Sequence, residues 1–158
     1  MNRDSIENIF LSTDRHKIYV LPCKPNEIED AISFVMLHKI NLVNIGEELA
    51  NYINTLEDLR YLTIDVYDYT RRLLEKNRTK IENSINEIVA IYNLGILLEP
   101  TLEMNVITLL KEFSKSSCLI IIWENQQENQ HKLHWATQQQ KYFLDFSEVQ
   151  LKNLQYEI

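Results

Sequence analysis

Two short apolar runs constrain the fold of this chain more than any other feature of its sequence. They read Ile88-Val-Ala-Ile-Tyr92 and Cys118-Leu-Ile-Ile-Ile-Trp123, and both are nearly continuous in apolar, mostly β-branched side chains. Strands that are covered on both faces have this pattern, whereas a strand with one solvated face alternates apolar and polar residues. The two runs therefore predict inner strands of a mainly parallel sheet.

Weaker strand patterns and helical stripes alternate with these runs. Residues 18–21 and 40–45 are further strand candidates. Alternating strands and helices predict right-handed βαβ units and a three-layer α/β fold. Residues 133–136 and 142–146 predict, in addition, a C-terminal β-hairpin at the sheet edge. Apolar residues at helical spacing predict three helices, which carry Ile28, Ala31, Ile32 and Val35; Leu56, Leu59, Leu62, Val66, Leu73 and Leu74; and, after a start at Pro100 and Thr101, Leu102, Val106, Leu109, Leu110 and Phe113.

Composition sets the broad class of protein. The length of 158 residues fits a single domain over residues 1–158, and 45% apolar residues can bury a sizeable core. A net charge of −7 argues against broad nucleic-acid or membrane-surface binding. The polar first residues predict no signal peptide, and no apolar run reaches the length of a membrane span. We therefore expect a cytoplasmic protein with no membrane contact, in which Cys23 and Cys118 are reduced core thiols.

Glycine is scarce, and this excludes common phosphate-binding loops. The chain has only two glycines, Gly46 and Gly95. The Walker A loop and the G-x-G-x-x-G fingerprint each need several glycines in a short span, because a Cβ would block the close approach of backbone to phosphate. Neither motif is present intact, and we interpret both glycines as turn residues.

The loop after the first strand candidate lies where a phosphate loop would connect a strand to a helix. When the Walker A pattern is laid over residues 21–28, Asn26 falls at the second glycine and Glu27 at the lysine. Pro22 and Pro25 remove two amide donors from the loop. Lys24 is left as an isolated cation. The residues favour a stiff loop and a helix start capped by Asn26, with a residual nucleotide pocket as the alternative.

The stretch from residue 89 to residue 102 carries a family resemblance. It reads Val-Ala-Ile-Tyr-Asn-Leu-Gly-Ile-Leu-Leu-Glu-Pro-Thr-Leu. This resembles the "apolar strand, D-N, x-x, L-L/F, x-P-x-L" stretch of the small P-loop proteins of BREX-type phage-defence islands, the BrxF-like family. The helix at 106–114, the strand at 119–125 with its Trp-Glu-Asn ending, the Leu-His-Trp-Ala of 133–136 and the Lys-Tyr of 141–142 fit the same family. The resemblance covers about residues 87 to 146.

The resemblance implies a compact P-loop NTPase-like fold and a role in bacterial defence against phage beside larger partner proteins. It places Tyr92 where the family has the Walker B aspartate and puts Asn125 near the usual sensor position. The chain keeps the asparagine that follows the aspartate in the family, as Asn93. The chain departs from the family at both nucleotide motifs. We therefore expect a vestigial nucleotide site at Lys24, Asn26, Glu27, Asn93 and Asn125, with no nucleotide hydrolysis and no cofactor. ATP and Mg²⁺ would bind only if the site is divergent.

A basic cluster lies at the end of the second predicted helix and the loop after it. Basic residues near a helix C-terminus interact favourably with the helix dipole, which favours a solvated helix end. A contact with nucleic acid or an acidic partner is the alternative. The basic cluster consists of Arg71, Arg72, Lys76, Arg78 and Lys80.

Another group of residues, His131 and His134 with Glu128, could suggest a metal site. Residues i and i+3 of a strand point to opposite faces, however, so we predict no metal site.

Together these features predict a degenerate P-loop-fold protein that does not hydrolyse nucleotide and has no catalytic residues. It would act through protein–protein contacts as an accessory or regulatory subunit of a BREX-like defence complex. Two alternatives stay open at this point. One is a divergent ATPase whose site a partner completes, and the other is a nucleic-acid accessory protein that uses the basic cluster. The sequence leaves the oligomeric state undetermined.

Overall fold

The computed structural model describes residues 3–127, 130–135, 142–147 and 149–154, and its central element is a seven-stranded sheet. Six strands run parallel in the order β1-β10-β2-β6-β5-β3, and β4 pairs antiparallel with β5. The strands are β1 (Arg3–Asp4), β2 (Ile18–Pro22), β3 (Leu42–Asn44), β4 (Thr79–Lys80), β5 (Glu87–Tyr92), β6 (Cys118–Trp123) and β10 (Lys152–Leu154).

Helices cover both faces of this sheet, as the apolar runs predict. Alternate residues of β6 belong to two separate clusters of buried side chains: Ile120 packs with the first two helices, and Ile121 packs with the other three. The mainly parallel α/β architecture is therefore confirmed. The helices are α1 (Ile6–Phe10) and α2 (Ile28–Leu37) on one face, and α3 (Ile45–Thr55), α4 (Leu62–Lys76) and α5 (Val106–Ser116) on the other.

The segment between β3 and β4 differs from the sequence prediction. The chain forms two helices here rather than one long helix through Leu56 and Leu59. Leu59 lies in the connection and its side chain is 58% exposed. Asp58 accepts a hydrogen bond from the backbone N–H of Arg60 at 2.9 Å, and side chains that bond locally to the backbone in this way compete with helix formation. The second strand is also shorter than residues 40–45, because α3 begins at Ile45.

The helix after Pro100 also begins later than predicted. Pro100–Leu102 form a single 3₁₀ turn that ends at Glu103, whose φ of 45° lies in the left-handed region. A left-handed residue interrupts a right-handed helix. The side chain of Asn105 then accepts a hydrogen bond from the N–H of Thr108 at 3.1 Å and caps α5.

The predicted C-terminal hairpin forms, but not at the edge of the central sheet. Strands β8 (Lys132–His134) and β9 (Phe143–Asp145) pair antiparallel and join β7 (Gln126–Gln127) in a separate three-stranded sheet. Leu133, Leu144 and Phe146 are buried in the cluster that includes α3, α4 and α5, so apolar packing draws the hairpin onto that face. The turn between the two strands lies outside the described residues.

Both cysteines are free thiols, as predicted. Cys118 is buried at the start of β6, whereas Cys23 is only half-buried in the loop after β2, so it is not a core residue. Within the described ranges, no helix has the length and hydropathy to span a membrane.

Candidate functional site

The crevice between β2 and β6 is the switch point of the central sheet. The chain leaves β2 toward α2 on one face and leaves β6 toward the hairpin on the opposite face. Ligands of open α/β sheets bind outside the carboxyl ends of strands at such a point. The two strand ends are joined here by a backbone hydrogen bond of 3.0 Å from the Cys23 N–H to the Trp123 carbonyl.

The loop after β2 carries three of the predicted site residues, and it differs from the predicted cap. Pro25–Glu27 form a 3₁₀ turn, and α2 begins only at Ile28. The Glu27 carboxylate accepts a hydrogen bond from the Lys24 backbone N–H at 3.4 Å, while the Glu27 N–H donates to the Lys24 carbonyl at 2.8 Å. Asn26 is exposed and does not cap the helix, because the 3₁₀ turn places Glu27 at that position.

Acidic side chains surround the crevice. The pKa of the Cys23 thiol is raised to about 11, first by burial and then by the nearby carboxylates of Glu124 and Glu27. Both carboxylates therefore place negative charge beside Cys23, at the carboxyl ends of β2 and β6. A third and a fourth acidic residue, Glu29 and Asp30, lie in the first turn of α2 and offset the positive end of the helix dipole.

Asn93 lies at the end of β5 and is held by the neighbouring strand. Its backbone adopts the left-handed region, with φ of 60°. Its Nδ2 donates a hydrogen bond to Oδ1 of Asn44 at 2.8 Å, and the same Oδ1 accepts from the N–H of Glu47 at 3.0 Å, which caps α3. We call this arrangement of Asn44 and Asn93 the asparagine bridge.

Gly46 makes the asparagine bridge sterically possible. A Cβ at Gly46 would clash with Nδ2 of Asn93 and would lie 2.8 Å from its Cγ. Neither glycine has a positive φ. Gly95 begins the single 3₁₀ turn Gly95–Leu98, which agrees with its interpretation as a turn residue, whereas that interpretation is wrong for Gly46. Gly46 is the second residue of α3, and its role is close approach. A Cβ at Gly95 would meet only Nε1 of Trp135, at 4.0 Å.

The structure brings together two of the five predicted nucleotide-site residues. Asn93 and Asn125 line one cleft of about 80 Å³, together with Glu124 and Trp135. Lys24, Asn26 and Glu27 are not among its described lining residues. A larger cavity of about 290 Å³ adjoins the cleft and shares Gly95 and Trp135 with it. Tyr92, which the resemblance aligns with the Walker B aspartate, is half-buried and packs on the α2 side of the sheet.

The basic cluster is engaged in contacts within the chain. Arg71 and Arg78 make ion pairs, and Arg72 and Lys80 donate to backbone carbonyls. Such exposed ion pairs contribute little to stability, but they offset the positive charge that a nucleic acid would meet. A small cavity of about 130 Å³ beside Arg71 and Arg78 also carries two glutamates. The contacts are Arg71 with Glu75 at 3.3 Å and Asp68 at 3.8 Å, Arg78 with Glu87 at 3.4 Å, Arg72 with the Asp68 carbonyl at 3.4 Å, and Lys80 with the Ser84 carbonyl at 2.7 Å. Lys76 is exposed in the last turn of α4.

Metal ligands do not cluster in the described part of the chain: it holds no group of three or more His, Cys, Asp or Glu side chains in binding arrangement. Nδ1 of His131 bonds to the Val149 carbonyl at 2.9 Å, and His134 lies in β8. Glu128, the third member of that sequence constellation, lies outside the described residues.

Sequence reasoning missed Asn44 and Trp135 as site residues. Asn44 had a usable signal, because a capping residue followed three positions later by Glu47 is the signature of a helix start. The place of Trp135 depends on how the hairpin packs, and no local pattern shows that. No protein-family model, no curated protein and no solved structure matches this chain.

Proposed function

We propose that this protein is a degenerate P-loop-like protein that does not hydrolyse nucleotide and acts as an accessory or regulatory subunit through protein–protein contacts. The observation that carries the proposal is the acidic crevice between β2 and β6. A bound phosphate there would meet the carboxylates of Glu27 and Glu124 instead of a row of backbone N–H groups.

The connectivity supports a P-loop-like origin for this site. β2 lies inside the sheet, between β10 and β6, and leads through a short loop directly into α2. A phosphate loop joins a strand to a helix in the same way. The defence context rests on the resemblance of residues 87–146 to the BrxF-like family, and the proposed partners are other proteins of a phage-defence complex.

A calorimetric titration with ATP and Mg²⁺, together with an assay for phosphate release, tests the proposal. We expect neither binding in the micromolar range nor turnover. Lys24→Ala removes a positive charge from the loop at the crevice. Its matched control, Lys76→Ala, removes the same charge at the end of α4, far along the chain from the crevice. Micromolar binding that is lost in Lys24→Ala but kept in Lys76→Ala would overturn the proposal.

The two alternatives predict different results. A divergent ATPase completed by a partner predicts turnover only in the purified complex, which is lost on Asn93→Ala or Asn125→Ala but kept when the partner's own site is inactivated. A nucleic-acid accessory protein predicts an affinity that falls steeply with salt concentration. The structure favours neither alternative over a role in protein–protein contacts. Four cations of the basic cluster already bond within the chain, namely Arg71, Arg72, Arg78 and Lys80.

A further inference from the structure

The larger cavity is the one best suited to a ligand. Its volume of about 290 Å³ is near the lower end of the range of roughly 300–1,000 Å³ for small-molecule pockets. It opens between the 3₁₀ turn Gly95–Leu98 and the hairpin. Its described lining residues are Gly95, Leu98, Glu99, Trp135 and Tyr142.

Two aromatic side chains form one wall. The backbone N–H of Trp135 donates to the backbone carbonyl of Tyr142 at 3.1 Å, which extends the ladder of β8 and β9 by one pair. Directly opposed residues of antiparallel strands lie on the same face. This is the face of Leu133 and Leu144, which are buried in the core. The aromatic wall therefore continues the buried face of the hairpin to the cavity.

The ring of Trp135 is held before any ligand binds. It forms a T-shaped pair with the ring of Trp123, with ring centroids 4.7 Å apart and an interplanar angle of 77°. Trp123 is buried at the end of β6, so it is a fixed support. A ring that is already positioned loses little conformational freedom on binding, which favours affinity.

The charge on the described lining of the cavity is negative. Glu99 is the charged residue of its described lining, and Glu124 lines the adjoining cleft. No lysine, arginine or histidine is among the described lining residues of either space. An aromatic face attracts a cation through its quadrupole, and a neighbouring carboxylate adds to that attraction. The ligand that this chemistry fits is an organic cation.

A hydrogen-bond donor also faces the cavity. Nε1 of Trp135 lies 4.0 Å from the place where a Cβ at Gly95 would be. Among the hydrogen bonds of the described residues, this indole N–H has no acceptor. A peptide carbonyl could take that place, whereas a free amine has no acceptor group to offer. A cation carried on a peptide chain therefore fits the site better than a free amine does.

We propose that this cavity binds an arginine side chain of a partner protein, with the guanidinium against Trp135 and Tyr142 beside Glu99. The planar guanidinium stacks on aromatic rings and pairs with carboxylates. A peptide carbonyl of the same partner segment accepts the hydrogen bond from Nε1 of Trp135. The inference rests on the proposed contact role and names the chemistry of the partner.

The test is a titration with N-acetyl-arginine methylamide, followed by ¹⁵N–¹H NMR of the indole groups. The chain has two tryptophans, so the spectrum has two indole signals, and Trp135→Phe assigns them. We expect a saturable shift of the Trp135 signal. N-acetyl-citrulline methylamide has nearly the same shape without the charge, and agmatine has the charge without the carbonyl. Both should bind more weakly, and equal binding of either one would overturn the proposal.

Three variants complete the test. Glu99→Gln should weaken arginine binding by about two- to fivefold, the size expected for one exposed ion pair. Glu29→Gln removes the same charge from the exposed surface of α2, on the other face of the sheet, and should leave binding unchanged. Gly95→Leu should fill the cavity and abolish the shift, with circular dichroism confirming the fold. Arginine binding that persists unchanged in Gly95→Leu would overturn the inference.

The outcome for the proposed function stays separate. The titration uses neither nucleotide nor any defence protein, so absent arginine binding would overturn the arginine site and leave the accessory role intact. Micromolar ATP binding lost in Lys24→Ala would overturn the accessory role whatever the arginine titration shows.

Discussion

The sheet closes two crevices at its carboxyl edge in different ways. Between β3 and β5, the asparagine bridge joins the strand ends over Gly46, with a hydrogen bond of 2.8 Å and no room for a Cβ. Between β2 and β6, the half-buried thiol of Cys23 lies under the influence of Glu27 and Glu124. Close packing of side chains closes the first crevice. The second has negative charge and lacks the backbone N–H donors of Pro22 and Pro25. They should therefore respond to different perturbations.

The largest effect is expected at Asn44. Asn44→Ala removes a helix cap, worth about 1 kcal/mol, and the bond from Asn93, worth about another 1 kcal/mol. We expect the free energy of unfolding to fall by about 2 kcal/mol in urea denaturation. Asn105→Ala is the matched control, because Asn105 caps α5 through its bond from Thr108. A loss for Asn44→Ala no greater than that for Asn105→Ala would show that the bridge contributes nothing.

Gly46→Ala should have a smaller effect whose sign depends on Asn93. Overpacking against Asn93 costs about 1–3 kcal/mol, and alanine in place of a helical glycine returns about 1 kcal/mol. We expect a net loss of about 1 kcal/mol by thermal or urea unfolding. In an Asn93→Gly background, which keeps the left-handed backbone accessible, the same change should become neutral or stabilising.

Gly95→Ala is the matched control for Gly46→Ala. A Cβ there makes only ordinary contact, with Nε1 of Trp135 at 4.0 Å, and φ is not positive. We expect a gain of about 0.4–1 kcal/mol from the stiffer unfolded chain. If both alanine substitutions had the same effect, close approach at Gly46 would play no part.

These positions also show how far the sequence determines the fold. The strands β5 and β6 are predictable because burial on both faces makes them continuously apolar. β10 is not, since its three residues, Lys152–Leu154, have no strand pattern of their own and are fixed by pairing with β1 and β2. The break between α3 and α4 was missed because Leu56 and Leu59 fit a helical stripe that the local bonds of Asp58 override.

The candidate site, like the fold, has one part that the sequence predicts and one part that it does not. The absence of a glycine-rich phosphate loop after β2 is readable from Pro22, Pro25 and Glu27, because those residue types act locally. The aromatic wall of the cavity is not readable, because Trp135 meets Gly95 only after the hairpin has packed onto α5 and its neighbours. Residues that act through their own backbone are predictable, and residues that act across elements are not.

The charged crevice should reveal itself in the chemistry of Cys23. A pKa of about 11, against an ordinary value of 9.0, leaves about a hundredfold less thiolate at pH 8. We expect slow alkylation by iodoacetamide, measured by peptide mass spectrometry, with a rate that rises as the pH approaches 11. Glu124→Gln should move this profile to lower pH, and Glu29→Gln should not. A midpoint near 9 in the unaltered protein would contradict the closed, acidic crevice.

The same shift has a consequence for stability at high pH. Because the folded state raises the pKa of Cys23, it holds the proton more tightly than the unfolded chain does. The stabilising contribution is therefore complete below pH 9 and is lost as the pH rises through about 11. Cys118, whose pKa burial raises to about 12, acts in the same direction. Unfolding free energy should fall over this range, less steeply in Cys23→Ser, and a slope unaffected by Cys23→Ser would assign the loss to other groups.

The smallest effect separates the two causes that close the crevice between β2 and β6. The double variant Glu27→Gln/Glu124→Gln removes both carboxylates but leaves Pro22 and Pro25, which have no N–H to donate. A phosphate site needs convergent backbone donors, so we expect calorimetry to show no binding of inorganic phosphate or ATP. Micromolar binding by the double variant would mean that charge alone keeps phosphate out. The crevice would then differ from a working phosphate site by two side chains rather than by the course of its backbone.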